Sequence, residues 1–165
     1  MIPPEFDYAA PSSLDEVFTE LSSGDDVKLL AGGHSLLPLM KLRLAGPEKL
    51  VDLRRVPGLR GINRGNGDFV IGAMTTHAEL EDANLGLLAR AAGSIADRQV
   101  RHRGTLGGTL AHGDSASDLP AVMLAAEATF TAASAGGQTR SIAAADMFRD
   151  YLTTALDEAE VLTEV

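Results

Sequence analysis

Cysteine is absent from this sequence of 165 residues. Without thiols the chain can form no disulfide, and it cannot supply the cysteine ligands of a zinc site or an iron–sulfur cluster. Any redox chemistry that takes place on this chain must therefore be carried by a bound organic cofactor.

Basic residues and long apolar runs are also scarce. The sequence has 14 lysines and arginines against 23 aspartates and glutamates, which gives a net charge of −9. A surface of that sign argues against a nucleic-acid partner, because phosphates must be neutralised by basic side chains. No apolar run approaches the ~20 residues of a membrane span, and the first residues lack the pattern of a secretory signal. We expect a cytoplasmic protein with no membrane span.

Several catalytic and nucleotide-binding motifs are missing. The sequence contains no G-x-G-x-x-G, no G-x-x-x-x-G-K-[ST], no H-E-x-x-H and no G-x-S-x-G. His112, Asp114 and Asp118 lie close together in the chain, but their spacing is not that of a known metal site. We therefore predict no metal ligands and no catalytic residues on this chain.

The first third of the chain alternates between helix and strand patterns. "SSLDEVFTELSSG" predicts a helix capped by Ser12 or Ser13, and "VKLLAG" a short buried strand. "LLPLMKLRLA" then predicts a helix capped by Ser35, and "KLVDLR" a second strand. This order is typical of a small α/β lobe, here residues 1–55.

Residues 56–165 predict a second, mixed α/β lobe after a turn-rich boundary at 56–68. We expect a strand leading into a helix capped by Thr75 or Thr76, a buried helix over 85–96, and a loop system over 103–118. A helix from Asp118, a strand pair around "AGGQ" and a strand at "AEVLTEV" follow. Since the last pattern is the beginning of a strand, we expect the chain to be part of a longer protein.

Two glycine-rich segments are the best candidates for a ligand site. The first, "AGGHS" at 31–35, stands between a strand and a helix, where glycine allows an anion to approach backbone N–H groups. A plain turn is the alternative reading. The second, "GTLGGTLAHGDSASD", has four glycines and several hydroxyls, which predicts a loop with consecutive exposed donors. Together they suit a long ligand with two phosphates, held from both lobes.

Two further features leave their alternatives open. Asp118 opens a helix, so its carboxylate either caps that helix or accepts a hydrogen bond from a ribose hydroxyl or a ring N–H. In "DRQVRHRG", Arg98, Arg101 and Arg103 surround His102. This cluster is either a solvated face, or an anion site or docking patch for an acidic partner.

The two glycine segments, with "FDYAAPSSLDEV", "LVDLRRVPGL" and "VIGAMTTHAEL", resemble the flavin-binding medium subunit of molybdenum hydroxylases over essentially the whole chain. That group includes aerobic carbon monoxide dehydrogenase and xanthine dehydrogenase, and the carbon monoxide dehydrogenase type is the more similar. The resemblance implies an α+β fold of the PCMH or vanillyl-alcohol-oxidase type, with two lobes that hold the FAD pyrophosphate. The residues that it implies for FAD binding are Ala31, Gly32, Gly33, His34, Ser35, Thr105, Leu106, Gly107, Gly108, Thr109, Asp118 and Leu162.

The resemblance also implies a role in electron transfer. A large subunit with the molybdenum cofactor would oxidise the substrate, a 2Fe-2S small subunit would relay electrons, and FAD on this chain would pass them to an external acceptor. Two departures from the family pattern stand out: Thr109 replaces a frequent asparagine, and the family's C-terminal domain is missing from this sequence. A stand-alone flavin oxidoreductase and a non-catalytic nucleotide-binding domain are the alternatives.

Overall fold

The structure is a computed structural model that describes residues 2–65 and 67–165. Its helices are α1 (Leu14–Leu21), α2 (Leu36–Lys41), α3 (His77–Asp82), α4 (Leu87–Ser94), α5 (Arg98–Arg101), α6 (Leu106–His112), α7 (Asp118–Ala125) and α8 (Ala144–Met147). Its strands are β1 (Asp7–Ala9), β2 (Val27–Leu30), β3 (Lys49–Asp52), β4 (Ile62–Arg64), β5 (Phe69–Ile71), β6 (Thr129–Ser134), β7 (Gln138–Ala143), β8 (Phe148–Asp150), β9 (Thr153–Thr154) and β10 (Val161–Glu164). The predicted α+β class is confirmed.

A parallel three-stranded sheet, in the order β1-β3-β2, forms the first lobe. The central strand β3 is buried at Leu50, Val51 and Asp52, as expected for a strand covered on both faces. Its register pairs Leu30 with Asp52, so strands β2 and β3 end side by side. The first glycine segment begins directly after that end.

An antiparallel sheet, in the order β10-β6-β7, forms the base of the second lobe. The predicted strand pair around "AGGQ" is confirmed by β6 and β7, whose register includes Phe130 opposite Ile142. Phe130 is fully buried and meets Phe148 edge to face, with ring centroids 6.0 Å apart. Helices α4, α6 and α7 contribute to the same core. Two hairpins, β4-β5 and β8-β9, complete the strands of the described residues.

Several helix boundaries follow from their caps. The Oγ atom of Ser13 accepts the Glu16 N–H at 3.2 Å, as predicted for the start of α1. Thr76 and Glu79 form a reciprocal capping box at the start of α3, which confirms Thr76 as its cap. Ser35 stands before α2, but its side chain makes no capping hydrogen bond. Helix α2 also ends at Lys41 rather than reaching Ala45.

Three predictions over the second lobe are wrong. The segment expected to be a loop system contains a helix, α6, which begins directly after Thr105. The second strand of the pair around "AGGQ", expected over "RSIAAADM" at 140–147, gives way to helix α8 at Ala144. Helix α4 is shorter than the predicted 85–96, and within it only Ala92 is buried.

In the first lobe, the short strand β1 was not predicted, because three residues with an exposed face carry little periodic signal.

The two lobes share part of their core. One cluster of buried side chains joins Val17, Phe18 and Val51 to Ala133 and Val161 of the antiparallel sheet. A division into lobes 1–55 and 56–165 follows the sheets, and it stays a proposal. No helix of the described residues is long and apolar enough to cross a membrane.

Candidate functional site

The first glycine segment, residues 31–35, bends sharply between β2 and α2. A Cβ atom on Gly32 would overlap the carbonyl oxygen of Arg103 and lie 2.8 Å from the Cα atom of Gly104. Gly33 has a φ of +77°, a left-handed conformation that favours glycine. Both glycines are therefore required by the backbone: Gly32 for the close approach of a second segment, and Gly33 for the turn.

The backbone donors from Gly32 to Ser35 are unpaired within the part of the chain that the structure describes. The N–H groups of Gly32, Gly33, His34 and Ser35 donate no hydrogen bond to any described residue. Gly32 is buried and Gly33 half-buried, whereas His34 and Ser35 are exposed. Buried N–H groups in proteins are almost always paired with protein, water or ligand atoms. Four successive N–H groups without a partner among the described residues, next to a left-handed glycine, make a backbone arrangement that suits an anion.

The first part of the second glycine segment, residues 104–109, differs from the prediction, because most of its backbone N–H groups already donate within the protein. The N–H of Leu106 donates to Thr75 O at 2.9 Å, and the N–H of Gly107 donates to Ala73 O at 2.8 Å. The N–H of Gly108 is satisfied by Oγ1 of Thr105 at 3.1 Å. Consecutive exposed donors were expected here, and this expectation is wrong, because helix capping and the neighbouring chain take up the donors.

The two segments nevertheless touch each other, whereas the sequence predicted only that both hold one ligand. A Cβ atom on Gly108 would lie 3.3 Å from the Cβ atom of Ala31, and Gly104 touches Gly32. Gly32 and Gly108 therefore let the two segments come close. In this arrangement the first segment offers backbone donors beside the second segment.

A buried histidine, which sequence reasoning did not place in the site, lies behind the second segment. His77 is 3% exposed, and its Nε2 atom is 3.1 Å from Oγ1 of Thr109. Its Nδ1 atom has no partner among the described residues. Burial, with a smaller contribution from the nearby His34, lowers the pKa of His77 to about 4. No sequence spacing points to this residue, and its contacts alone reveal it.

Asp118 and Leu162 lie at different depths. Asp118 is the first residue of α7, one position after the N-cap Ser117, and its exposed carboxylate makes no hydrogen bond within the described residues. The predicted capping role is therefore wrong, and a role toward a ligand stays a prediction. Leu162 is 5% exposed, pairs with Ala132 across the sheet, and belongs to the main core.

The basic cluster divides into structural and solvated members. The Nε atom of Arg101 lies 2.8 Å from a carboxylate oxygen of Glu81, and its Nη1 donates to the carbonyl oxygens of Ile95 and Ala96. Its side chain is only 11% exposed, so it is not available for docking. Arg98 and Arg103 are exposed, as is His102 between them. No cluster of metal-ligating side chains occurs in residues 2–65 and 67–165.

Comparison with known proteins identifies the family. A family model described as the FAD binding domain in molybdopterin dehydrogenase matches residues 4–165. The chain belongs to this family. The resemblance seen in the sequence is thereby confirmed, and so is FAD as the cofactor of the family.

Relatives of this FAD binding domain are subunits of oxidoreductases. The chain is 49% identical over its whole length to the carbon monoxide dehydrogenase medium chain of Hydrogenophaga pseudoflava. It is 42% identical, also over its whole length, to subunit alpha of the 6-hydroxypseudooxynicotine dehydrogenase complex of Paenarthrobacter nicotinovorans. It spans 59% and 57% of those two proteins, respectively.

Solved structures show the same fold. Carbon monoxide dehydrogenase from Hydrogenophaga pseudoflava matches with a TM-score of 0.95 and 49% identity, over 99% of this chain and 59% of that one. Quinoline 2-oxidoreductase from Pseudomonas putida 86 matches with a TM-score of 0.95 and 40% identity, over the same shares of both chains. These matches confirm the predicted FAD-binding fold class.

Proposed function

We propose that this chain holds FAD at the junction of its two glycine segments and serves as the electron-transferring flavin domain of a molybdenum hydroxylase of the carbon monoxide dehydrogenase type. The observation that carries the proposal is the row of four N–H groups from Gly32 to Ser35, which have no partner among the described residues and lie beside the second glycine segment. Family membership supplies the identity of the ligand.

The residues present fit such a cofactor. The first segment has donors for the oxygens of a pyrophosphate, and no side chain of Gly32, Gly33, Gly107 or Gly108 can obstruct it. We assign the pyrophosphate to Ala31–Ser35, and Thr105–Thr109 to the opposite wall. Asp118, which is exposed and acidic, would face a hydroxyl or ring N–H of the cofactor rather than a phosphate. Leu162, an apolar side chain of the core, would pack against the flavin side.

When bound, FAD supplies the redox chemistry, accepting and releasing electrons singly or in pairs. The chain itself would bind and orient the cofactor. We propose that electrons arrive from a 2Fe-2S small subunit, after substrate oxidation on a large subunit with the molybdenum cofactor, and leave to an external acceptor. Supporting this division of labour, the chain has no cysteine with which to bind a cluster of its own. We propose the cytoplasm as its location.

The first experiment is a visible absorption spectrum of the purified chain after addition of FAD and desalting. We expect the flavin bands to be retained by the wild-type chain and lost by Gly32→Ala, whose new methyl group would force the two segments apart. Gly46→Ala is the matched control, since a Cβ atom there meets nothing within 4 Å. A wild-type chain that retains no flavin at saturating FAD would contradict the proposal.

A competition experiment identifies which half of the cofactor the segments hold. If the N–H groups of Gly32–Ser35 bind the pyrophosphate, ADP should displace FAD much more effectively than riboflavin does. Equal displacement by both, or displacement by riboflavin alone, would contradict this assignment.

The proposed partners call for a separate test. We expect the tagged full-length protein, purified from its native host, to carry molybdenum and iron in addition to flavin. Flavin without either metal would favour a stand-alone flavin oxidoreductase, and the absence of all three would favour a non-catalytic domain.

A further inference from the structure

His77 has a buried ring nitrogen that the structure leaves unexplained. The residue is 3% exposed, and Nδ1 has no hydrogen-bond partner among the described residues. An apolar side chain of similar size would avoid the cost of burying that atom. The other ring nitrogen, Nε2, must therefore contribute something that an apolar side chain cannot.

The position of the ring connects it to both glycine segments. A Cβ atom on Gly104 would lie 2.8 Å from Cδ2 and 3.0 Å from Nε2 of His77, and the backbone N–H of His77 donates to Gly104 O at 3.0 Å. Gly104 in turn touches Gly32 of the first segment. The imidazole thus lies directly behind the point where the two segments meet.

The contact between His77 and Thr109 can be made in two ways. Either the Thr109 hydroxyl donates to Nε2, which leaves a protonated Nδ1 without an acceptor, or Nε2–H donates to Oγ1, which leaves a lone pair on Nδ1. Orphaned N–H groups in protein interiors are rarer than under-satisfied acceptors. The second arrangement is therefore favoured.

We propose that His77 is a positioning residue of the cofactor site, which donates through Nε2–H to Oγ1 of Thr109 and so turns the Thr109 hydroxyl proton toward the bound cofactor. The proposal rests on the proposed function, since it requires FAD at the junction of the two segments. Thr109 is half-buried and follows Gly108, which touches Ala31. An accepted bond from His77 leaves this hydroxyl one proton to donate, to an oxygen of the cofactor.

Nitrogen NMR of the histidine rings tests the first half of the proposal without any cofactor. We expect His77 in the full chain to show the pattern of a neutral imidazole protonated at Nε2. A ring protonated at Nδ1 would overturn the proposal, because the Thr109 proton would then be used up by His77.

FAD affinity of variants, measured by quenching of flavin fluorescence, tests the second half. His77→Phe and Thr109→Val should each weaken FAD binding roughly tenfold, the effect of one lost hydrogen bond to a polar group. His77→Gln, whose side-chain amide reaches the same point as Nε2, should restore affinity to within about threefold of wild type. The variant with both His77→Phe and Thr109→Val should be no weaker than Thr109→Val alone. His102→Gln, an exposed histidine, is the control.

The outcomes separate this inference from the proposed function. Wild-type affinity in a folded His77→Phe chain, or additive losses in the double variant, would overturn the role of His77 while the FAD site stands. A purely structural role would lower thermal stability in His77→Phe with no rescue of affinity by glutamine. If the wild-type chain binds no FAD, the proposed function fails and this inference fails with it.

Discussion

The backbone N–H of Gly107 donates to the carbonyl oxygen of Ala73 at 2.8 Å, and a Cβ atom on Gly107 would overlap the Ala73 methyl group. Helix α6 therefore begins in direct contact with the chain that leads into α3. The contact explains a glycine inside a helix, a position where glycine is otherwise unfavourable.

Gly107→Ala should accordingly lower the free energy of unfolding, by about 1–3 kcal/mol, because the new methyl group meets backbone rather than a flexible side chain. Urea denaturation measures the change. In Gly46→Ala, where the space is open, the same substitution should leave stability unchanged or raise it by about 0.5 kcal/mol. Equal stability of the two variants would show that the backbone around Gly107 can make room for a methyl group without a loss in the free energy of unfolding.

Arg101→Ala should also destabilise the chain, by about 1–3 kcal/mol, because it removes the ion pair with Glu81 and leaves the carbonyls of Ile95 and Ala96 without their donor. Arg98→Ala, on the same short helix but exposed, should stay within about 0.5 kcal/mol of wild type. Thermal denaturation of both variants checks this. If Arg101→Ala had no effect on stability, Arg101 would be a solvated surface residue and not a structural one.

Acid should weaken the fold through His77. Its pKa is about 4 in the folded chain and near 6.5 in an unfolded one, so between those values the unfolded state binds more protons. Stability is then lost as the pH falls from about 6.5 toward 4, by up to ~1.4 kcal/mol per pH unit. Urea denaturation at several pH values should show a shallower loss in His77→Gln over that window. Parallel curves for the two proteins would contradict the lowered pKa.

The buried carboxylate of Asp52 supports the end of β3, beside the first glycine segment. Burial alone would raise the pKa of Asp52, but hydrogen bonds from Arg54 and Tyr8 outweigh it and hold the pKa below its ordinary value. Asp52→Asn should cost roughly 2 kcal/mol and Tyr8→Phe about 1 kcal/mol, since each removes a bond to a charged group. Asp7→Asn, an exposed neighbour, is the control, and a cost similar to that of Asp52→Asn would contradict this account.

Local patterns predicted the elements whose signals lie within a few residues. The start of α1 follows from Ser13, and that of α3 from Thr76 with Glu79, because a cap and its partner are neighbours in sequence. That the two glycine segments hold one ligand was predicted from their shared composition and stays a prediction, and their direct contact was not predicted.

Contacts between distant residues could not be predicted in this way. Gly107 and Gly108 favour a loop by propensity, yet they lie in α6, because the tight approach of Ala73 and Ala31 selects glycine there. Arg101 looks like its exposed neighbours until Glu81 is placed beside it. The role of His77 likewise depends on Thr109, which is 32 positions away. In each case a tertiary contact determines the role of the residue, and a single sequence does not show that contact.

The cluster that joins Val17 and Phe18 to Ala133 and Val161 bears on how a cofactor could enter and leave. Halves of a protein that swing apart as rigid bodies have few apolar contacts across the hinge. Here such a movement would pull buried side chains into water. The contact between the glycine segments is therefore established when the chain folds, and exchange of a bound molecule would proceed by loosening of the segments themselves.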